Sequence, residues 1–343
     1  MEQALGSSSP GARRPLSQLV RPVQPSPPWP ACSEWSKAEQ LDPVGTAGFF
    51  GGFLLVEQPL PWPSDIARVP ELADVVEVAA SARLRLQLIV GAGLGAARAL
   101  KEASGHRGER KVICYKSVAP GWAAPLARSE CSALPESLGE SAAALVDRPA
   151  VVREGVSAGE PDMVDVLVCT HGRRDACCGA GGTVLFGDLS RSSWEAPPAT
   201  VRLWRTSHTG GHRFAPTVIV LPSATLWAWA DVALMQSVLS SEGPVRGAVN
   251  RYRGCAVVGP PAYQALERAV LAEVGWLLLG ARRRALDLGD GHLRLETDLA
   301  GIWDATVREG RHVPQPGCRS DPALATKQSV EWVVEGLRSV VTA

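Results

Sequence analysis

Two short stretches limit how this chain can fold. CTHGRRDACCGAGG, starting at Cys169, gathers three cysteines and a histidine, and SHTGGHRFAP, starting at Ser207, holds two more of the six histidines. Each follows a segment that reads as a strand. DMVDVLVC is a buried-type strand that delivers Cys169 at its end, and TVRLWRTS alternates and delivers His208. If the two strands are neighbours, both loops emerge at one end of a sheet. Two thiolates, Cys169 and Cys178, then converge with two imidazoles, His208 and His212.

The surrounding pattern supports an α/β fold. GFFGGFLLVEQP reads as a strand stopped by Pro59. SDIARVPELADVVEVAASA suits a helix capped by Ser64, RLRLQLIV alternates as a strand, KVICYK is another strand, and PESLGESAAALV is helical. A second run follows: DMVDVLVC, a helix over GGTVLFGDLSRS, the strands TVRLWRTS and PTVIVLP, TLWAWA as a fourth strand, and DVALMQSVLSS as a helix capped by Asp231. Both runs have the order βαββα, the pattern of a thioredoxin-like core, so an internal structural duplication is expected although no sequence repeat is visible. The expected organisation is a disordered Pro- and Ser-rich tail over 1–31, an N-terminal α/β domain over 32–160, a thioredoxin-like domain over 161–258, and a C-terminal extension over 259–343. That extension starts with an amphipathic helix from Pro260 and closes with a helix over DPALATKQSVEWVVEGL.

Composition narrows the function classes. The 343 residues carry 35 basic and 35 acidic side chains, so nothing electrostatic points to nucleic acid. The longest apolar run, TVIVLPSATLWAWADVALM, is broken by Pro222 and carries Asp231, so no membrane span is expected. The first thirty residues hold Arg13, Arg14 and Arg21 but no apolar secretory core, and a cytoplasmic protein is expected. The Arg and Ser content of that tail, with Glu2 as its only acid, also suits an organelle transit peptide. Clustered cysteines in a reducing compartment point to metal ligation or redox chemistry rather than disulfides.

Three metal readings compete for the four ligands. A Cys2His2 zinc site fits the residue types and the H-x3-H spacing, but its knuckles normally enclose two to four residues, not the eight between Cys169 and Cys178. A catalytic zinc helix needs a general base between its histidines, where this chain has Thr209, Gly210 and Gly211. A [2Fe–2S] cluster fits better, with thiolates on one iron and imidazoles on the other. Gly172, Gly179, Gly210 and Gly211 would let backbone approach the inorganic sulfurs.

The runs CSEWSKAEQLDPVGTAG, VCTHGRRDACCGAGG, SHTGGHRFAPTVIVLP and NRYRGCAVVGPPAYQALERAVL resemble the sucrase/ferredoxin-like family. The resemblance runs from about Cys32 to the C-terminal region. It implies a thioredoxin-like ferredoxin whose [2Fe–2S] cluster is held by Cys169, Cys178, His208 and His212. Cys177 departs from the family pattern and competes with Cys178 as the second thiolate; the matching spacing and the following Gly179 favour Cys178. His171 sits inside the motif and is expected to hydrogen-bond a sulfur or the backbone. Nothing resembles the paired carboxylates of a glycosidase.

Elsewhere the plainer readings are preferred. Cys32, Cys114, Cys131, Cys255 and Cys318 read as lone buried cysteines, and His106, His292 and His312 as ordinary histidines. VGAGLGAARA, from Val90, has the skeleton of a dinucleotide fingerprint but no clear βαβ unit around it, and reads as a loop. Trp204, Trp227 and Trp229 read as core or interface residues. Arg173, Arg174 and Arg213 are either solvated charge or charge that offsets a negative cluster or docks an acidic partner, and Asp175 would pair with one of them. The functional expectation is an electron-transfer or redox-sensing protein, an electron carrier rather than an enzyme, working with a redox partner protein. A structural zinc module is the alternative. A thiol oxidoreductase using Cys177 and Cys178 is weaker, because no C-x-x-C is present.

Overall fold

The computed structural model describes residues 29–91, 108–119, 121–123, 125–150, 163–192 and 200–340. The tail up to residue 28, His106 and most of the VGAGLGAARA run lie outside the described residues. A short helix α1 (Cys32–Ala38) precedes the first unit, which contains β1 (Gly52–Glu57), α2 (Ala73–Ser81), β2 (Leu84–Gly91), β3 (Arg110–Lys116), β4 (Ala127–Ala133) and α3 (Leu138–Asp147). The second contains β5 (Met163–Cys169), α4 (Ala176–Arg191), β6 (Thr200–Thr206), β7 (Val218–Leu221), β8 (Thr225–Trp227), α5 (Val232–Ser240), α6 (Arg246–Val249) and β9 (Tyr252–Cys255). The chain continues as α7 (Pro261–Val274), α8 (Leu277–Gly280), β10 (Arg283–Asp287), β11 (His292–Thr297), β12 (Ile302–Pro314) and β13 (Gln328–Val340).

The duplicated strand order is present. One nine-stranded sheet runs β4-β3-β1-β2-β6-β5-β7-β8-β9. In each unit the first strand is parallel to the second and antiparallel to the third, and the third is antiparallel to the fourth. The units adjoin through antiparallel β2 and β6, where Ile89 faces Thr206 and Gly91 faces Trp204. This mixed sheet is the α/β thioredoxin-like arrangement expected. A second, antiparallel sheet, β10-β11-β12-β13, follows it.

Alternation along β2 divides two environments. Leu84, Leu86, Leu88 and Val90 pack in the core that α2 and α3 complete. Arg85 and Gln87 point the other way and donate to the His208 carbonyl, at 3.3 and 3.4 Å. The polar half of the pattern therefore faces the candidate site rather than open solvent.

Several expectations need correction. The final helix over DPALATKQSVEWVVEGL is instead a one-turn 3-10 helix (Pro322–Leu324) and strand β13. Its Val330, Val333, Val334 and Trp332 are strand formers, and all four pair with β12. The helix read from Ser64 is broken at Pro70 into two 3-10 turns before α2, and Asp65, not Ser64, caps the first turn. Helix α4 starts earlier than expected, so Cys177 and Cys178 lie in its first turn instead of a loop. Asp231 does cap α5, accepting the Leu234 amide at 2.8 Å.

Candidate metal centre

Strands β5 and β6 run parallel, so their C-terminal ends share one end of the sheet, the usual location of sites in α/β proteins. Cys169 is the last residue of β5 and pairs with Thr206, the last of β6. The chain then turns through His171, whose carbonyl accepts the Asp175 amide at 3.1 Å, into α4. That helix presses on the strand end: a Cβ at Gly182 would sit 1.8 Å from the Cys169 carbonyl oxygen. Only glycine allows this approach, and it sets Cys178 against Cys169. After β6, Gly210 and Gly211 adopt φ of +73° and +65°, turning the chain so that His208 and His212 both return to the site.

The ligating atoms of Cys169, Cys178 and His208 all lie within 4.8 Å of one another. Cys178 Sγ is 3.9 Å from His208 Nδ1. His212 lies next to this group but not within it. Its ring centroid is 6.4 Å from that of His208, and its Nδ1 is 3.0 Å from Cys32 Sγ. Asp175 spans the two histidines, with carboxylate oxygens 3.9 Å from His208 Nδ1 and 3.2 Å from His212 Nδ1. The expected pairing of Asp175 with an arginine is thus replaced by a pairing with both imidazoles. His171 takes the backbone role: its Nε2 lies 2.9 Å from the Pro63 carbonyl and its Nδ1 accepts the His208 amide at 3.3 Å. A neutral ring protonated on Nε2 satisfies both contacts.

Cys177 points elsewhere. Its Sγ is 3.2 Å from Cys32 Sγ and 3.2 Å from Cys318 Sγ, and the three sulfurs form a second compact group. Cys32 and Cys318 therefore do not behave as the lone cysteines expected. Cys32 comes from the first turn of α1 and Cys318 from the connection between β12 and β13. All eight cysteines are free thiols. In each group the neighbours push one sulfur down and another up. Hydrogen bonding from Cys178, and from His208 and the backbone at His171 and Thr209, holds Cys169 well below the ordinary thiol range, while Cys178 is pushed up by Cys169 and by burial. Cys32, aided by Ser33, holds Cys177 down to about 4, and Cys32 itself is pushed up.

Positive charge surrounds these sulfurs. Arg253 is fully buried; it donates to the Gly210 carbonyl at 3.1 Å and to Thr46. Burial, with Arg85 and Arg213 nearby, lowers it to about 9. Burial likewise lowers Arg85 and Arg213 to about 10, opposed by Cys169 and Cys32 respectively. Among the described residues none of the three has a carboxylate partner. Of the arginines noted in the sequence, only Arg213 is buried; Arg173 and Arg174 are exposed.

The fold is thus an α/β protein with thiols and imidazoles at one sheet end, in groups that could hold a metal ion. The family model described as sucrase/ferredoxin-like matches residues 43–243, and the chain belongs to that family. No curated protein and no solved structure matches it. Among the described residues no helix is long and apolar enough to cross a membrane.

Proposed function

We propose that Cys169, Cys178, His208 and His212 hold a [2Fe–2S] cluster and that the protein transfers single electrons or senses redox state. The observation that carries this reading is the convergence of Cys169, Cys178 and His208 ligating atoms within 4.8 Å, with His212 beside Asp175 in the next turn. The donor set suits the group: soft thiolates and imidazoles are the ligands of such clusters. Buried Arg253 and Arg213, without acidic partners among the described residues, suit a site that gains negative charge. The cluster would supply one-electron chemistry. The chain's own residues do the rest: His171 orients His208 through its amide, Asp175 orients both imidazoles, and Arg253 fixes the Gly210 turn. Exposed Arg173 and Arg174 beside the site offer a docking charge to an acidic redox partner. Free thiols gathered into ligand-like groups suit a reducing compartment such as the cytoplasm.

A second reading is a single zinc ion on the same residues. It is favoured by the compactness of the Cys169, Cys178 and His208 atoms, because tetrahedral zinc holds its donors roughly 3.5–3.8 Å apart. Anaerobic purification separates the two. The cluster reading expects a brown-red protein with about two irons and two acid-labile sulfides per chain. Cys169→Ser and Cys178→Ser should lose them, and Cys177→Ser should keep them. A colourless protein carrying zinc would overturn the cluster. Iron kept in Cys178→Ser and lost in Cys177→Ser would reverse the thiolate assignment. With imidazoles replacing two thiolates, a redox titration should place the potential above the value of about −400 mV of plant-type ferredoxins.

A further inference from the structure

Cys32, Cys177 and Cys318 have no part in the four-ligand assignment, yet their sulfurs meet from segments 145 and 141 residues apart. Chance packing of small apolar side chains accounts poorly for this arrangement. Cys318 sits in the polar run QPGCRSD and is only half-buried, yet its sulfur is turned onto Cys177. The three Sγ atoms lie within 4.8 Å of one another. Contacts of 3.2 Å are far longer than a disulfide bond of about 2.05 Å. They are near the roughly 3.8 Å spacing that three thiolates adopt around one tetrahedral ion at about 2.3 Å. A second observation points the same way. Arg213 is 6% exposed, and its Nε has no hydrogen-bond partner among the described residues. A buried cation with no acidic partner among the described residues suits a neighbour that carries negative charge, as a three-thiolate Zn2+ site does.

We propose that Cys32, Cys177 and Cys318 form a second metal site, a three-thiolate site for Zn2+, that clips α1 and the β12–β13 connection onto α4. As the ion binds, three Zn–S bonds form, the remaining thiol protons pass to solvent, and no electrons move. The benefit is loop closure. The ion ties together segments more than 140 residues apart, where the unfolded chain has most freedom to lose. The site uses none of the residues proposed for the cluster and stands whether that group takes iron or zinc.

The test counts zinc and iron in full-length protein purified under reducing conditions, as wild type, Cys32→Ser and Cys318→Ser. Each variant is expected to lose one zinc per chain, keep the metal of the Cys169, Cys178 and His208 group, and melt at a lower temperature that added zinc no longer raises. Cys169→Ser should do the reverse, losing the first group's metal and keeping this zinc, so failure of one assignment is distinguishable from failure of the other. In the wild type, zinc should protect Cys32, Cys177 and Cys318 together from alkylation until a chelator is added; this reading does not depend on a variant folding. Equal zinc in the wild type and both variants would overturn the site. So would alkylation of these three thiols at the same rate with and without zinc, or a disulfide found between any two of them in the reduced preparation.

Discussion

Gly182 fixes the distance between the helix that carries Cys178 and the strand that carries Cys169. Its missing Cβ would fall 1.8 Å from a backbone oxygen, a clash no side-chain rotamer relieves. Gly182→Ala should therefore push α4 off β5, cost about 1–3 kcal/mol as overpacking does, and reduce bound metal. Metal analysis and a denaturant melt check both effects, and an unchanged metal content would show that Gly182 does not set the ligand spacing. His171 works at the same scale without ligating: its two nitrogens tie the Pro63 carbonyl to the His208 amide, and its ring edge meets Trp62 at 5.8 Å. The cysteine motif gave no hint of this link to the first unit, because Pro63 lies 108 residues away.

At the scale of elements, Asp231 shows how a local signal becomes a stability term. Burial pushes its carboxyl up, but the Leu234 amide and Arg251 outweigh this and hold it below the usual carboxylate value. A depressed folded-state pKa stabilises the fold above the unfolded value of about 3.9, and the contribution is lost as pH falls through the folded value. Asp231→Ala should cost about 0.5–2 kcal/mol at neutral pH, and the gap to wild type should close below about pH 4. A gap that persists in acid would mean that packing, not the charged cap, carries the effect. Elements like α5 were legible in the sequence because cap, apolar face and stop all lie within a few residues. So were the seven strands marked by the runs FLLV, RLRLQLIV, KVIC, DVLVC, TVRLWRT, VIVL and TLW. The strand ARSECSA was not, since small polar residues gain strand character only from pairing with β3. Nor was β13, where apolar spacing fits a helix as well as a strand and only its partner β12 decides. The Cys169, Cys178 and His208 group was legible because its residues fall in two short runs. The second was not, because Cys32 and Cys318 meet Cys177 only through tertiary folding.

At the scale of the whole molecule, buried charge and a narrow junction hold the units together. Asp165 is fully buried and accepts from Arg202 at 2.6 Å on each oxygen, from Trp204 at 2.7 Å, and from Tyr115 of the first unit. Where the β2–β6 ladder ends, side chains reinforce a last backbone bond from the Ser207 amide to the Leu88 carbonyl at 2.9 Å: the Leu88 amide donates to Ser207 Oγ at 3.0 Å, and Thr206 Oγ1 donates to the Leu88 carbonyl at 3.0 Å. Ser207→Ala leaves the Leu88 amide buried without its acceptor and should cost about 1–3 kcal/mol. The Leu88 amide should also exchange faster with deuterium than its neighbours in β2, and unchanged exchange there would show that water or another group replaces the serine. The junction also settles a matter of association. It pairs the second strand of one unit with the second strand of the other, antiparallel, which is the contact a twofold homodimer would make between two copies of a single unit. Here the two copies share one chain, so each covers the strand edge the other would leave bare, at a tethered concentration that dilution does not change.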